Sequence, residues 1–331
     1  MAYSQTISFT TTLVSALQKY LKETPVTQDF TRLTALSMLE KKSKAMDAPS
    51  YWRVPVKNIG SPLGGPFEGA GATATTGFDD ITHASFRRAQ YAHPVVLLRT
   101  DEWDTNSEVA LFKAGVQKVE SARQMLRKDV STDLLSTSAV TNGVQGIPLA
   151  AEEAPGSSGT YGGLDGATET YWKNKTDATN PAFSTAGMAA FESMFRQLAS
   201  VEGREGNPFD WILVSTAVFG YLQTAARTFL SLNAPASGAA GKRAGEMGFP
   251  TMTFHGKPIV FDPGLTAGYA YFWADDAAYL VTQPGVDFTM PYEWVSLAPA
   301  GQHGLINHVY WRGQLVVEQR AALGQISTIT A

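Results

Sequence analysis

Ser50-Tyr51-Trp52-Arg53-Val54-Pro55-Val56-Lys57 alternates side-chain character with a period of two, which predicts a strand. Pro55 has no N–H to give to a ladder, so the strand belongs at an edge or is irregular. After it come six glycines, Gly60, Gly64, Gly65, Gly69, Gly71 and Gly77, with Pro62 and Pro66 among them. The chain then returns as a strand-like stretch from about Ile81 to Arg99, ending Pro94-Val95-Val96-Leu97-Leu98. Two strands around a long glycine-rich tip make an extended hairpin arm. Loops beyond about 12–15 residues with no structure of their own are usually functional. An arm of this length cannot bury itself in its own domain and needs a partner.

Downstream of the arm, Val109, Phe112, Val116, Val119, Ala122, Leu126, Val130 and Leu134 recur at spacings of three and four. Thr105-Asn106-Ser107-Glu108 before them is a capping box, Thr105 capping and Glu108 reaching back. About 30 residues at 1.5 Å each predict a rod of roughly 45 Å. Upstream, Leu13, Ala16, Leu17, Tyr20 and Leu21 predict a short amphipathic helix ended by Pro25. A second helical stretch carries Leu33, Leu36 and Leu39 and ends in Lys41-Lys42-Ser43-Lys44, a basic run that suits a solvated helix end.

After Asn142-Gly143 the pattern turns α/β. Helices are expected at about 185–200 and 216–230. Strands are expected at Trp211–Val214, Thr251–Phe254, Ile259–Phe261, Gly268–Trp273, Ala278–Thr282 and His308–Gln319. No internal repeat is visible, and Ala234–Gly245 reads as a small-residue loop.

Composition narrows the classes. Of 331 residues 44% are hydrophobic, and the net charge is only -4, so disorder is excluded. With no cysteine there is no disulfide scaffold, thiolate zinc site or cysteine nucleophile. Charged residues make up 17%, below the usual ~25%, which fits a surface reserved for neighbours. Residues 1–135 carry 16 basic and 14 acidic side chains and residues 136–331 carry 10 and 16. Neither part has the basic tail that an arm for condensing nucleic acid would need. No apolar run approaches the length of a membrane span, and no secretory signal is visible at the start.

Catalytic motifs are missing. Gly238-Ala239-Ala240-Gly241-Lys242-Arg243 fails as a phosphate loop, with Ala236 in the first glycine position and Arg243 in place of the hydroxyl. Gly69-Ala70-Gly71 begins a dinucleotide pattern that Ala74 does not complete. His83, His93, His255, His303 and His308 form no metal-ligand spacing and read as structural or surface residues. Asp275-Asp276 and Glu152-Glu153 are adjacent pairs, and neighbours on a strand face opposite ways. Trp211, Trp273 and Trp311 sit in apolar contexts that suit core packing.

The order of helical arm, glycine-rich hairpin, long helix and α/β domain resembles the major capsid proteins of tailed bacteriophages, the Hong Kong ninety-seven fold. Tyr161-Gly162-Gly163-Leu164-Asp165-Gly166 with Tyr171-Trp172-Lys173-Asn174 is similar to that family's Tyr-Gly-Gly-[Ile/Leu]-Asp-Arg…Trp-[Arg/Lys]-Asn segment, Gly166 standing where an arginine is usual. Asp210-Trp211-Ile212-Leu213-Val214-Ser215, followed by a helix with Tyr221, resembles its strand–Ser/Thr–helix step. Phe254-His255-Gly256-Lys257-Pro258-Ile259-Val260-Phe261-Asp262 looks like its paired core strands around a Gly-x-Pro turn.

The resemblance covers essentially the whole chain and implies an α+β fold. Its parts would be an N-terminal arm (1–46), an extended hairpin loop (47–93), a peripheral domain with spine helix (94–136), an axial domain (137–300) and returning C-terminal strands (301–331). It implies a homo-oligomeric shell of pentamers and hexamers with a portal, separate scaffolding or decoration proteins, and packaged DNA contacted without sequence preference. Trp52, Arg53, Lys57 and the six loop glycines would serve assembly. Val109, Phe112, Val116, Val119 and Leu126 would form the spine, and Tyr161, Gly162, Gly163 and Trp172 the axial motif.

No catalytic residue, cofactor, metal or membrane is implied. The short N-terminal part leads us to expect no fused scaffolding domain, and Lys57 has no partner motif for a Lys–Asn crosslink. An encapsulin-type nanocompartment shell is the alternative on the same fold. A soluble hydrolase whose carboxylates converge only in three dimensions is the alternative from another class.

Overall fold

The structure, a computed structural model, describes residues 34–46, 50–57, 81–98, 108–155, 160–179, 182–233, 252–298 and 303–331. For 108–114 and 226–233 it describes the helical backbone alone. The expected helix at 12–22, the six loop glycines, Thr105 to Ser107 of the capping box and the Ala234–Gly245 loop lie outside these residues. Val109 and Phe112 lie on the described helix, their side chains outside the description.

In chain order the elements begin with α1 (Thr34–Glu40), β1 (Lys44–Ala45), β2 (Tyr51–Lys57), β3 (Ile81–Arg87), β4 (Ala89–Leu98) and α2 (Glu108–Leu134). There follow α3 (Ile147–Ala150), β5 (Thr160–Tyr161), β6 (Leu164–Asp165), β7 (Lys175–Asp177), α4 (Met188–Ala199), β8 (Trp211–Val214) and α5 (Thr216–Asn233). The last are β9 (Met252–Phe254), β10 (Lys257–Phe261), β11 (Ala270–Trp273), β12 (Ala278–Thr289), β13 (Val295–Ser296), β14 (Gly304–Val317) and β15 (Gly324–Ile326).

The chain divides into two compact units, neither of them a continuous stretch. The first comprises Met1–Ala48, Arg88–Gly146 and Leu280–Gln314. Its sheet centres on β14, which pairs with β4 along one side and with β12 and β13 along the other, β1 adding in parallel to β12. The 27 residues of α2 give a rod of about 40 Å. Its stripe of Val119, Ala122, Leu126, Val130 and Leu134 is buried, Val116 half so. The helix packs along β4, whose Tyr91 lies opposite Trp311 of β14 with ring centroids 5.7 Å apart. Ala35, Leu36 and Leu39 bury the apolar side of α1, which packs on α2, while Lys41 and Lys42 stay exposed.

The second unit comprises Pro49–Arg87, Ile147–Tyr279 and Leu315–Ala331. Its six-stranded sheet runs β7-β15-β11-β8-β10-β9, with β8 parallel to β10 across the α5 connection. Every residue of β8 and β11 is buried, which is why Trp211-Ile212-Leu213-Val214 reads as an unbroken apolar run and not an alternating one. Phe191 contacts Phe272 and Phe254, and Phe209 contacts Phe272 and Phe195, all edge-on at 5.1–6.0 Å. Trp211 and Trp273 are core residues here, as Trp311 is in the first unit.

One expectation changes. The stretch from Ile81 to Arg99 is two strands, parted at Arg88. β3 pairs with β2, whereas β4 pairs with β14. The physical sign is a slip in the buried register, from even positions (Ala84, Phe86) to odd ones (Ala89, Val95). The hairpin therefore ends at Arg87. β12 and β14 also run longer than expected, to Thr289 and from Gly304. Among the described residues no helix is long and apolar enough to cross a membrane.

Leu126→Ala removes a fully buried side chain from the α2 stripe and is expected to cost about 2–5 kcal/mol. The exposed neighbour Lys128→Ala should stay within about 0.5 kcal/mol. Urea denaturation of the two variants measures the difference.

Candidate assembly site: the hairpin and its anchor

The hairpin is amphipathic from its sequence upward. In the β2–β3 register Trp52 faces Phe86, Val54 faces Ala84 and Val56 faces Thr82. Trp52, Val56, Ala84 and Phe86 are buried, so one face of the arm is an apolar strip. The other face presents Tyr51, Arg53, Pro55 and Lys57 with Ile81, His83 and Arg87, all exposed, with no carboxylate among these described residues. Tyr51 and Ile81 keep about half their surface open, 49% and 51%.

The base of the hairpin rests on the Tyr161-Gly162-Gly163 segment. The Ser85 amide donates to the Gly162 carbonyl at 2.6 Å, and the Tyr171 hydroxyl donates to Thr82 Oγ1 at 3.3 Å. Phe86 meets the Tyr161 ring edge-on at 5.5 Å. Gly162 and Gly163 have φ of +63° and +81°, the left-handed region that disfavours a side chain. Gly162 also lies so close to Phe86 that a Cβ would stand 2.9 Å from its Cζ, whereas a Cβ on Gly163 would meet open space. At Gly166 a Cβ would come within 2.6 Å of the Pro155 carbonyl oxygen, so this backbone excludes the arginine usual there.

Trp172 stands behind this segment, buried, its indole N–H donating to the Tyr161 carbonyl at 2.9 Å. Asn174, two residues on, exchanges hydrogen bonds with the Glu152 backbone, accepting at 3.1 Å and donating at 2.8 Å. Asp165 closes the turn by accepting the Ala167 amide at 2.9 Å. The motif's residues are thus brought together as one structural joint.

Its centre is Arg320, which the sequence reading did not single out. The guanidinium is 1% exposed and donates to the carbonyls of Ala150 (2.9 Å), Leu149 (3.0 Å) and Trp172 (3.3 Å) and to Glu152 Oε2 (3.2 Å). Its carbon lies 5.2 Å over the Tyr161 ring. Burial lowers the guanidinium's proton affinity, with Tyr161 and Glu152 opposing the shift, and burial raises that of the Tyr161 phenol.

The adjacent carboxylates serve separate structural ends. Glu152 pairs with Arg320, while Glu153 accepts the Tyr269 hydroxyl at 3.1 Å. Asp275 accepts the Trp211 indole N–H at 2.7 Å, and Asp276 pairs with Arg204 at 2.7 Å. His255 stacks on Phe195 at 4.2 Å and pairs with Glu192 at 3.1 Å. Among the described residues no three His, Asp or Glu side chains gather where one metal ion could sit.

No family model matches the sequence, and no curated protein does. Solved structures match along nearly the full length. The capsid asymmetric unit of cyanophage A-1(L) agrees with a TM-score of 0.69 over 94% of this chain and 96% of that one, at 18% identity. The capsid of the native GTA particle gives 0.56 over 88% and 90%, at 13% identity. The holo-SrpI encapsulin complex from Synechococcus elongatus PCC 7942 gives 0.55 over 92% and 90%, at 10% identity. The fold is α+β and of the Hong Kong ninety-seven type, as the resemblance implied.

Arg320→Met leaves three carbonyls and Glu152 without their donor and is expected to cost about 3–5 kcal/mol. A loss below about 1 kcal/mol by urea denaturation would contradict the anchor. Gly163→Ala should cost about 1–2 kcal/mol from backbone strain alone. Gly162→Ala, which adds the clash with Phe86, should cost more, and equal midpoints for the two would count against this packing.

Proposed function

We propose that this chain is the major capsid protein of a tailed double-stranded DNA phage or prophage, assembling into the head that encloses the genome. The observation that carries the reading is the hairpin: an arm with one apolar strip against its own anchor and an outer face left exposed. Agreement with the cyanophage capsid subunit over 94% of the chain supports it. In this reading the first unit corresponds to the peripheral domain with α2 as spine, the helix that carries Val109, Phe112, Val116, Val119 and Leu126. The second corresponds to the axial domain.

In this reading Trp52 fixes the arm's base while Arg53 and Lys57 face the neighbouring subunit, with carboxylates there as natural partners. Gly60, Gly64, Gly65, Gly69, Gly71 and Gly77 let one sequence take the different bends that five-fold and six-fold rings require. The role is structural and without a cofactor, the site of action is the virion, and assembly takes place in the host cytoplasm. Partners are further copies of the chain, a portal, separate scaffolding or decoration proteins, and DNA held without sequence preference.

The encapsulin match, with a TM-score of 0.55, favours a second reading, a shell around a protein cargo. Particles from native cells distinguish the two: nuclease-protected double-stranded DNA is expected, and a cargo protein without DNA supports the alternative.

Replacing residues 58–80 by a short Gly-Ser linker tests the arm's role. Negative-stain microscopy should show rings or closed shells for the intact chain and none for the variant, with its circular dichroism unchanged. A variant that assembles as well as the intact chain overturns the role given to the hairpin.

A further inference from the structure

The second unit carries two exposed surfaces of opposite charge. The first is the outer sheet face of the β2–β3 hairpin. Trp52, Val56 and Phe86 turn to the buried side, so by alternation Arg53 and Lys57 turn outward, with His83 between them on the facing strand. Four residues of extended chain part Arg53 from Lys57, a span of about 13 Å. A counter-surface for both must supply carboxylates over that length. Two acids adjacent in the chain, such as Glu152 and Glu153, have Cα atoms only about 3.8 Å apart.

The second surface is an acidic edge that three segments build together. Arg204, 6% exposed, donates to Asp276 Oδ1 at 2.7 Å and, from Nε and Nη2, to Gln319 Oε1 at 3.4 Å. The Glu318 amide donates to the Ala277 carbonyl at 2.7 Å, and the Asp275 amide to Asp210 Oδ2 at 2.9 Å. These bonds fix the loop at 201–206, the turn at 274–277 and the residues after β14 against one another. Glu202, Glu205, Asp276 and Glu318 stand exposed on them. Arg204, the cation in their midst, is buried and committed to Asp276 and Gln319, and Lys257 lies 3.8 Å from Asp210. Arg196, in the last turn of α4, is the exposed cation before the loop. The other exposed carboxylates among the described residues of this unit, Glu153 and Asp165, accept from the Tyr269 hydroxyl and the Ala167 amide.

We infer that the cationic face of the hairpin docks on the acidic edge of a second copy of this chain, Arg53 and Lys57 meeting carboxylates of Glu202, Glu205, Asp276 and Glu318. This rests on the arm's role in the shell and names the surface that the arm meets. The occupant is a second copy because the chain supplies both halves of the pair. Within one copy the apolar side of the hairpin meets its anchor, and the cations turn away from it. The two surfaces differ, so the contact is heterologous and passes from copy to copy, as closure of a ring requires. Each exposed ion pair contributes little by itself. Several opposed charges together set partner choice, register and the rate of encounter.

Charge reversal in the full chain, read by sedimentation velocity, tests the pairing. Arg53→Glu with Lys57→Glu is expected to raise the concentration for half-assembly about tenfold or more, and Glu202→Lys with Glu205→Lys to do the same. All four together should return it to within about threefold of the wild type, because the pairs are restored with their signs exchanged. A double reversal that assembles like the wild type overturns the pairing, as does a quadruple variant no better than the doubles. Carbodiimide coupling of assembled wild type, part of it isotope-labelled, needs no substitution. Lys57 should be joined to Glu202 or Glu205 of another copy, and Lys57 joined only to other segments overturns the pairing. Wild-type rings or shells in either overturning case leave the shell reading standing. A wild type that stays monomeric at every concentration overturns both.

Discussion

One buried guanidinium holds the hairpin's anchor together. Arg320 reaches the Leu149 and Ala150 carbonyls, the Glu152 carboxylate, the Trp172 carbonyl and the face of Tyr161, and Tyr161 in turn supports Phe86 at the hairpin base. An apolar side chain of similar size could fill the space, and buried ion pairs often add little net stability. What it could not do is donate to the Leu149, Ala150 and Trp172 carbonyls at once, as the guanidinium fork does. The edge-on contact of Tyr161 with Phe86 ties the base of the hairpin to that joint.

Much of this was legible because it follows from local periodicity. The α2 stripe, the unbroken apolar run at Trp211 to Val214 and the alternation at Tyr51 to Lys57 each dictate an element regardless of tertiary context. The Tyr161-Gly162-Gly163 and Trp172 motif was visible as a pattern, and the left-handed glycines and the indole hydrogen bond give it a physical reason. Arg320 was not legible. Its partners lie about 150–170 positions away in the chain, and a lone arginine after an apolar run carries no local signal. The partner switch at Arg88 was hidden for a related reason. β3 and β4 are equally extended, and only their pairing partners tell them apart.

The low charge content takes a sharper meaning from the structure. The paired acidic residues at 152–153 and 275–276 are taken up by Arg320, Tyr269, Trp211 and Arg204, so they stitch segments of the second unit together. The outer face of the hairpin keeps Arg53 and Lys57 exposed. Charge inside the second unit fixes positions, and in the proposed shell the exposed cations of the arm are the ones left for a neighbouring subunit.

The measurement that bears most directly on this reading is native mass spectrometry of the intact chain across a range of concentration and salt. Species of five and six times 35.6 kDa, or closed multiples of these, are expected. They should give way to smaller ones as salt weakens the contacts of Arg53 and Lys57. A chain that stays monomeric or dimeric under all these conditions would contradict it.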